Sequence, residues 1–474
     1  PSGIRRFFEI TETMQDVISL GVGEPDFPTP WEIRKAGILS LESGHTRYTS
    51  NRGLESLRRE ICTYQKRKYG LSYRPESEVL VTVGGSEAID ACIRAVVSPG
   101  DEVIIPQPSY VCYEPIVTLA GGTPVIIETK AENDFKVTPR ELLDALSPRT
   151  KALILPYPCN PTGAIMEKRD LEALAEILRE RDILVLSDEI YAELTFSGEP
   201  HVSIASIEGM QERTVVINGF SKAFSMTGWR LGYACGPAPI LEQVTKIHQY
   251  AIMCAPTTAQ YAAIEALHNG DEAVAAMREE YDMRRRLIVA GFNRIGLACR
   301  EPKGAFYAFP CIRSTGLSDE EFCEKLLYAE RVAVVPGSAF GRGGDGCSRC
   351  TRNDLRLACK RDRAACALSF LYAFGNGIFL SFGRRGHRDS DRHASRGVFD
   401  IYPAPQENAD IQKRRLKRRK TRPRQKDLSL CGGVFLAFLA VLQRFRKHAC
   451  DDGNRPERKY SSHCRKALLA LRRV

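Results

Sequence analysis

Short apolar runs alternate with helical patterns from about residue 79 to residue 233. The runs are rich in Val, Ile and Leu, and apolar positions follow one another instead of alternating with polar ones. Runs of this kind predict strands that are buried on both faces, as in a parallel sheet covered by helices. Six stretches fit the pattern: residues 78–83, 101–106, 124–129, 152–156, 183–188 and 214–218.

Helical periodicity is clearest in two segments. Leu, Ala and Ile recur at helical spacing over residues 168–181, and a long amphipathic pattern covers residues 271–295. Beyond about residue 260 long helices replace the strand–helix alternation, which favours a second and smaller domain. The sequence therefore predicts an α/β fold with a mostly parallel central sheet in a large domain, plus a smaller α+β domain.

Composition adds one distinction between parts of the chain. The 474 residues carry a formal net charge of +10, but residues 351–474 hold 30 Lys and Arg against 11 Asp and Glu, so the rest is acidic. The basic cluster at 413–420 is typical of a solvated charged run. We therefore expect neither nucleic acid nor a membrane as the partner of residues 1–350.

The cysteines and the apolar runs argue against a disulfide-rich, a zinc-binding or a membrane-spanning protein. The 16 cysteines are scattered without a disulfide-type spacing, which favours free thiols and a cytoplasmic protein. Cys347 and Cys350, followed by Cys359 and Cys366, match no standard zinc spacing, so no metal is predicted. The apolar run 428–442 is shorter than the ~20 residues of a membrane-spanning helix. The chain begins at Pro1, which suggests processing or a missing beginning.

Candidate chemistry follows several of the predicted strands. Ligands of parallel sheets bind beyond the carboxyl ends of the strands. Gly84-Gly85-Ser86 follows the first strand and opens a helix, so backbone N–H groups and a hydroxyl form a candidate phosphate site. Tyr110 follows the second strand and offers an aromatic ring for stacking. Asn160 lies in a turn after the fourth strand and presents an amide.

The last two strands are followed by charged and phenolic groups. Asp188 and Tyr191 lie three residues apart, and Lys222 and Arg230 are the two cations of the stretch 221–233. An amine that forms a Schiff base, a carboxylate for a pyridine nitrogen and a guanidinium for a phosphate are the groups that bind pyridoxal 5′-phosphate. The set of strand-end residues therefore predicts that cofactor.

Six motifs carry a resemblance to a known family. They are Ile-Ser-Leu-Gly-Val-Gly-Glu-Pro-Asp-Phe (18–27), Arg-Tyr-Thr-Ser-Asn-Arg-Gly (47–53), Asn-Pro-Thr-Gly (160–163), Ser-Asp-Glu-Ile-Tyr (187–191), Ser-Lys-Ala-Phe-Ser-Met-Thr-Gly-Trp-Arg-Leu-Gly-Tyr (221–233) and Val-Val-Pro-Gly-Ser-Ala-Phe-Gly (334–341). With these motifs, residues 1 to about 350 resemble a fold-type I, class I pyridoxal-phosphate-dependent aminotransferase of the aspartate/aromatic group.

The resemblance implies a role for each ring-binding residue. Lys222 would form the Schiff base and then carry the proton between the substrate α-carbon and the cofactor C4′. Asp188 would pair with the pyridine nitrogen. Asn160 and Tyr191 would hydrogen-bond the ring 3-oxygen, and Tyr110 would stack on the ring.

The resemblance also implies how the phosphate is bound. Gly85, Ser86 and Arg230 would hold it within one subunit, and Tyr48 would reach the phosphate of the neighbouring subunit in a homodimer. Many family members have serine where this chain has Gly219, so one phosphate hydroxyl is expected to be absent.

The substrate side depends on fewer residues. Gly23 would lie beside the substrate carboxylate, with Asn160 nearby. Arg349, in register within Gly346-Cys347-Ser348-Arg349, would bind that carboxylate.

The resulting functional prediction is an aminotransferase that moves an amino group from an L-amino acid, of aspartate or aromatic type, to a 2-oxo acid such as 2-oxoglutarate. Two alternatives stay open. One is a pyridoxal-phosphate-dependent β-lyase on the same fold. The other is an inactive aminotransferase-like core whose basic tail binds nucleic acid or an anionic membrane. The motifs do not identify the amino donor.

The predicted domain organisation has four parts. Residues 1–30 form an N-terminal arm and a small-domain segment, residues 31–262 the large cofactor-binding domain, and residues 263–350 an incomplete small domain. Residues 351–474 are interpreted as an aberrant basic tail that is translated out of frame. The family pattern stops there, and one possible coding sequence for residues 351–367, read with a shift of one nucleotide, gives a family-like amino-acid sequence.

Overall fold

The computed structural model describes residue 14 and residues 17–351, and all of them belong to one compact unit of the chain. The twelve strands of this described part follow in chain order: β1 (Ile18–Ser19), β2 (Val79–Thr82), β3 (Glu102–Gln107), β4 (Thr123–Glu128), β5 (Thr150–Leu155), β6 (Leu184–Asp188), β7 (Thr214–Gly219), β8 (Gly232–Cys235), β9 (Tyr307–Ala308), β10 (Val332–Ala333), β11 (Val335–Pro336) and β12 (Ser348–Thr351).

The described part also contains ten α-helices and several short 3-10 helices. The α-helices are α1 (Trp31–Glu42), α2 (Glu55–Tyr69), α3 (Gly85–Val96), α4 (Tyr113–Leu119), α5 (Pro139–Ala145), α6 (Lys168–Arg179), α7 (Ala238–Ala251), α8 (Thr257–Asn269), α9 (Asp271–Arg294) and α10 (Asp319–Glu330). The helices predicted at 168–181 and 271–295 are confirmed as α6 and α9, and each ends slightly earlier than predicted.

Seven strands form the central sheet in the order β2-β8-β7-β6-β5-β3-β4. All six predicted strands are in it. The four neighbouring pairs β7–β6, β6–β5, β5–β3 and β3–β4 are parallel. Strand β8 was not predicted. It lies between β2 and β7 and runs antiparallel to both. The predicted α/β fold with a mostly parallel central sheet is therefore confirmed, with one reversed strand added.

Helices cover both faces of this sheet, which explains the continuous apolar runs. Leu153 and Ile154 are neighbours on β5 and point to opposite faces. Leu153 packs in a cluster with apolar residues of α6, and Ile154 packs in a second cluster with residues of α3 and α7. Neither face of the central strands is left for water, so no polar alternation is required.

Two smaller sheets lie outside the central one. Strands β11, β12 and β9 form an antiparallel sheet, and β1 pairs with β10 in parallel. The segment around β1 therefore packs against elements near the end of the described chain. The predicted boundaries near residues 30 and 262 stay a prediction, and α8 continues through residue 262.

No helix within residues 17–351 is both long enough and apolar enough to cross a membrane. The apolar run at 428–442 and the basic cluster at 413–420 lie outside the described residues. Of the predicted out-of-frame tail, residues 351–474, only Thr351 is described, as the last residue of β12.

A matched pair of leucines tests the sheet core. Leu153 is 0% exposed and Leu119 is 71% exposed. Leu153→Ala should lower the free energy of unfolding by about 2–5 kcal/mol, because it removes buried methyl groups and leaves a cavity. Leu119→Ala should change it by less than about 0.5 kcal/mol. Chemical denaturation of both variants measures this, and equal effects would contradict the assigned core.

Candidate active site

The connection from β7 to β8 carries both cations of the stretch 221–233. Because β8 runs opposite to β7 and lies beside it, β8 starts at the edge of the sheet where β7 ends. Residues 220–231 therefore stay at that edge, with Lys222 near the start and Arg230 near the end. Arg230 adopts a left-handed backbone conformation, with φ of 53°, just before β8 begins.

Arg230 lies against the loop that opens α3. A Cβ atom placed on Gly84 would be 2.9 Å from the Arg230 Nη2 atom. A Cβ atom on Gly232 would be 2.7 Å from backbone atoms of Gly84 and Gly85. Gly84 also has φ of 83°, and its carbonyl oxygen accepts a hydrogen bond of 3.0 Å from the Thr82 hydroxyl. The loop and the guanidinium thus form one anion-binding corner at a helix N-terminus.

Gly219 is closely packed against β8. Gly219 is the cross-strand partner of Gly232. A Cβ atom on Gly219 would lie 2.9 Å from the Gly232 Cα and 3.0 Å from the Leu231 oxygen. A serine side chain has no room there unless β8 moves away. The predicted absence of that hydroxyl is therefore built into the β7–β8 pairing.

Asp188 ends β6 and is buried. Its Oδ2 accepts a hydrogen bond of 2.7 Å from the Tyr113 hydroxyl, and its Oδ1 accepts one of 3.2 Å from the Ile190 backbone N–H. Burial raises the pKa of Asp188, whereas the Tyr113 hydroxyl and the charge of Lys222 oppose that rise. Tyr113 was not predicted, because a tyrosine at the start of α4 is indistinguishable in sequence from a core residue.

Tyr191 is buried and pairs with a residue that sequence reasoning also missed. The hydroxyl oxygens of Tyr191 and Tyr307 are 2.6 Å apart. Burial raises the pKa of Tyr191, and Tyr307 raises it further. Tyr307 lies in the stretch Gly-Ala-Phe-Tyr-Ala-Phe at 304–309, within the segment 263–350 that is predicted to form the small domain. Its alternation of aromatic and small residues was the available signal.

Lys222 points its amine at the segment that follows β1. The Nζ atom donates a hydrogen bond of 2.5 Å to the Gly23 carbonyl oxygen. It lies 5.9 Å from the centre of the Tyr191 ring and 5.8 Å from that of Phe306. Desolvation lowers the pKa of Lys222 to about 8, and the charge of Glu24 acts in the opposite direction. The amine is thus partly neutral near physiological pH.

Arg349 is brought into the same site from β12. Its side chain is buried, with Nη1 3.2 Å from the Asn160 Oδ1 and with Nη2 donating to the Gly21 carbonyl oxygen. The guanidinium lies over the rings of Tyr307 and Phe340, at 4.9 and 4.8 Å. Burial lowers the pKa of Arg349.

Arg349 retains unused capacity to bind an anion. Among the described residues, no carboxylate pairs with its guanidinium and its Nε has no hydrogen-bond partner. Gly23 is next to it, since a Cβ atom there would be 3.8 Å from the Arg349 Nη1 and 2.7 Å from the Tyr307 hydroxyl. Any larger residue at position 23 would press a side chain against the Tyr307 hydroxyl beside this buried cation.

Tyr110 and Ser86 lie together within the site, whereas Tyr48 lies outside it. Tyr110 interacts with Ser86, whose hydrogen bond opposes the rise that burial causes in the pKa of Tyr110. The Tyr110 ring packs edge-on against Tyr113 at 5.8 Å. Tyr48, in contrast, is 81% exposed, and no contact within the described residues brings it to the other site residues. One chain alone thus assembles every predicted site residue except Tyr48.

Comparison with known proteins identifies the family. The model of the aminotransferase class I and II family matches residues 15–366. An aspartate aminotransferase of Pyrococcus abyssi is 46% identical over 73% of this chain and 90% of its own length. An aromatic-amino-acid aminotransferase of Thermococcus litoralis is 43% identical over 73% of this chain and 90% of its own length. The chain belongs to the class I and II aminotransferases.

A solved aminotransferase has the same fold. The structure of the aspartate aminotransferase from Thermus thermophilus with maleate aligns with a TM-score of 0.74 at 36% identity, and it covers 79% of this chain and 97% of that one. The protein is therefore an aminotransferase, and pyridoxal phosphate, the cofactor of class I members, is its cofactor. The donor set at the sheet edge suits this group, with an anion-binding corner, a buried carboxylate, an aromatic ring and a partly neutral amine.

The lowered pKa of Lys222 gives a testable pH dependence for this aminotransferase. Only a neutral amine attacks an aldehyde, so the rate of attachment of pyridoxal phosphate to the cofactor-free protein should rise about tenfold per pH unit. The rise should level off near pH 8, where the pKa lies. Stopped-flow absorbance across pH measures the rate.

Lys222→Arg is the control, because it keeps the charge and should give no absorbance change from Schiff-base formation. A rate that keeps rising to pH 10.5, the ordinary value for lysine, would contradict the desolvated environment.

Proposed function

We propose that Lys222 bonds covalently to pyridoxal phosphate and that the surrounding residues hold the cofactor as the family resemblance implies. The observation that carries the proposal is the amine itself, which is half-buried, aimed at Gly23 and lowered in pKa by desolvation. A desolvated lysine is the form in which lysine acts as a nucleophile or base.

The ring would lie between groups from three strands of the sheet. Asp188 would bind the ring nitrogen, and Tyr113 would fix the orientation of the carboxylate through the 2.7 Å hydrogen bond. Tyr110 would stack on the ring. Asn160 and Tyr191 would donate hydrogen bonds to the ring oxygen.

The phosphate would lie in the corner between Arg230 and the first turn of α3. Gly85 and Ser86 would offer a backbone N–H group and a hydroxyl, and the guanidinium would offer two parallel N–H donors. The contact between Gly84 and Arg230 supports this placement, because it brings the cation to the helix N-terminus.

Lys222 would also be the proton carrier of the reaction. Bound pyridoxal phosphate supplies an electron sink that stabilises negative charge on the carbon that loses its proton. The Nζ atom would remove the proton from the α-carbon of the amino acid and return one to the α-carbon formed from the oxo acid. A pKa of about 8 lies close to neutral pH, which suits a group that both takes up and gives back a proton.

Arg349 would bind the α-carboxylate of both substrates. Its buried guanidinium has an unused donor, and Gly23 brings the backbone next to it without adding a side chain. Asn160 would hold the guanidinium from the other side. A dicarboxylate such as 2-oxoglutarate is the proposed amino acceptor, supported by the aspartate aminotransferases among the relatives and by the maleate of the Thermus thermophilus structure.

We further propose a homodimer in which Tyr48 completes the site of the partner subunit. Large apolar side chains are exposed along α1 and near Tyr48, and further ones follow α7 at Ile252 and Met253. The two regions are joined by the hydrogen bond from the Asn51 amide to the Met253 carbonyl oxygen at 3.0 Å. An exposed apolar surface of this kind is typical of a protein–protein interface.

The domain roles and the cellular location also stay proposals. The large part, residues 31–262, would bind the cofactor, and residues 263–350 would contribute Arg349. A cytoplasmic location is supported by the free thiols of all cysteines in the described part of the chain.

A donor panel with 2-oxoglutarate tests the proposed function. The purified protein should form glutamate from aspartate or an aromatic amino acid, and Lys222→Ala should lower turnover at least about 100-fold, because it loses the proton carrier. Glutamate formation and the cofactor absorbance band are the measurements. Release of ammonia and pyruvate instead of glutamate would favour the β-lyase, and no turnover with any donor would favour the inactive core.

A subunit-mixing experiment tests the shared site. Tyr48→Ala and Lys222→Ala should each be impaired as homodimers. Mixed dimers should regain activity, because the Tyr48→Ala subunit keeps Lys222 and receives Tyr48 from its partner. Turnover after mixing and refolding measures this.

The control for mixing is Asp188→Ala with Lys222→Ala, in which each subunit lacks a residue of its own site. That mixture should stay inactive. If Tyr48→Ala with Lys222→Ala also stays inactive while mixed dimers form, Tyr48 does not act across the interface.

A further inference from the structure

Glu87 occupies the first turn of α3, two residues after Gly85, where its side chain is turned back toward the preceding loop. Its Oε2 accepts a hydrogen bond from the Val83 backbone N–H. Val83 is the residue between β2 and Gly84, so this bond fixes the start of the loop that meets Arg230. The Glu87 carboxylate thus acts on the anion-binding corner from within the protein.

His248 of α7 holds the second oxygen of the same carboxylate. Its Nδ1 lies 2.5 Å from the Glu87 Oε1, and its side chain is 0% exposed. A carboxylate oxygen only accepts, so the ring donates at Nδ1. Helix α7 therefore reaches the loop through a two-step connection that runs from His248 to Glu87 and from Glu87 to the Val83 N–H.

The position of Glu87 requires such a partner. A carboxylate in the first turn of a helix is attracted by the positive end of the helix dipole, which is the feature that also attracts a phosphate. A carboxylate left free there would repel the phosphate and compete for the same N–H groups. Bound to His248 and to the Val83 N–H, both of its oxygens already have hydrogen-bond donors.

The loop itself is held on three sides. The Thr82 hydroxyl donates to the Gly84 carbonyl oxygen, the Arg230 guanidinium occupies the space where a Gly84 side chain would lie, and Glu87 binds the Val83 N–H. A loop fixed before the ligand arrives loses little conformational freedom on binding. Removing one of the three restraints should therefore weaken binding of the phosphate in particular.

We propose that Glu87 and His248 are positioning residues of the phosphate corner, acting through the Val83–Gly84 backbone without touching the cofactor. This inference rests on the proposed placement of the phosphate between α3 and Arg230. It predicts a defect that depends on the phosphate group, whereas a general structural role of the α3–α7 contact would affect ligands with and without phosphate alike.

Binding of two aldehydes, one with and one without a phosphate, distinguishes a phosphate-specific role from a general structural role. Pyridoxal phosphate and pyridoxal differ only in the phosphate, and both report attachment at Lys222 through absorbance. In the full-length cofactor-free protein, Glu87→Ala should weaken equilibrium binding of pyridoxal phosphate by about 10- to 100-fold, the range expected for a lost hydrogen bond to a charged group. Its affinity for pyridoxal should stay within about twofold of the wild type.

Three further variants make the experiment decisive. Glu87→Gln keeps an acceptor for the Val83 N–H and should lose less affinity for pyridoxal phosphate than Glu87→Ala. His248→Asn keeps a donor near the Nδ1 position and should also lose less. Asp90→Asn is the matched control on the same helix, because that carboxylate pairs with Arg94 at 2.8 Å instead of with the loop, and its affinity should be unchanged.

Inorganic phosphate gives an independent readout. It should compete with pyridoxal phosphate for the wild-type protein and compete less well, by a similar factor, for Glu87→Ala. Equal losses for pyridoxal and pyridoxal phosphate, or an unchanged affinity for pyridoxal phosphate in Glu87→Ala and Glu87→Gln, would overturn the inference. Failure of the wild type to take up either aldehyde would instead refute the proposed function.

Discussion

The site depends on one reversed strand. Strand β8 lies between β2 and β7 and runs against both, so the chain enters and leaves the connection 220–231 at one edge of the sheet. That edge is where the carboxyl ends of the parallel strands meet, which is where ligands of such sheets bind. Lys222 and Arg230 are thereby fixed at the same edge. Gly219 and Gly232 permit the close packing of backbones that this arrangement needs.

The elements that sequence predicts well are those with a local signal. The central strands are apolar throughout because helices cover both faces, and α6 and α9 repeat apolar residues at helical spacing. Strand β8 has only four residues, one of which is a glycine. Its pairing with β2 and β7 is decided by distant parts of the chain. Its position could not be predicted from its own residues.

The same distinction applies to the site. Lys222, Asp188, Arg230 and Asn160 stand near strand ends in motifs, so position and chemistry together made them candidates. Tyr113, Tyr307, Glu87 and His248 act through partners that are far away in sequence, and an isolated aromatic or acidic residue gives no such information. Tyr48 differs from these residues. Its motif predicts a role in binding the phosphate, but within one chain its side chain is exposed and remote from the other site residues.

Desolvation of two cations, Lys222 and Arg349, determines the chemical properties of the site. Arg349 is buried and Lys222 is half-buried, and desolvation lowers the pKa of both. For Arg349 the lowering does not remove the charge, because a guanidinium stays protonated in proteins. The buried cation is therefore most stable when an anion binds to it. For Lys222 the same desolvation raises the neutral fraction of the amine. One physical effect therefore supports both proposed roles, carboxylate binding at Arg349 and proton transfer at Lys222.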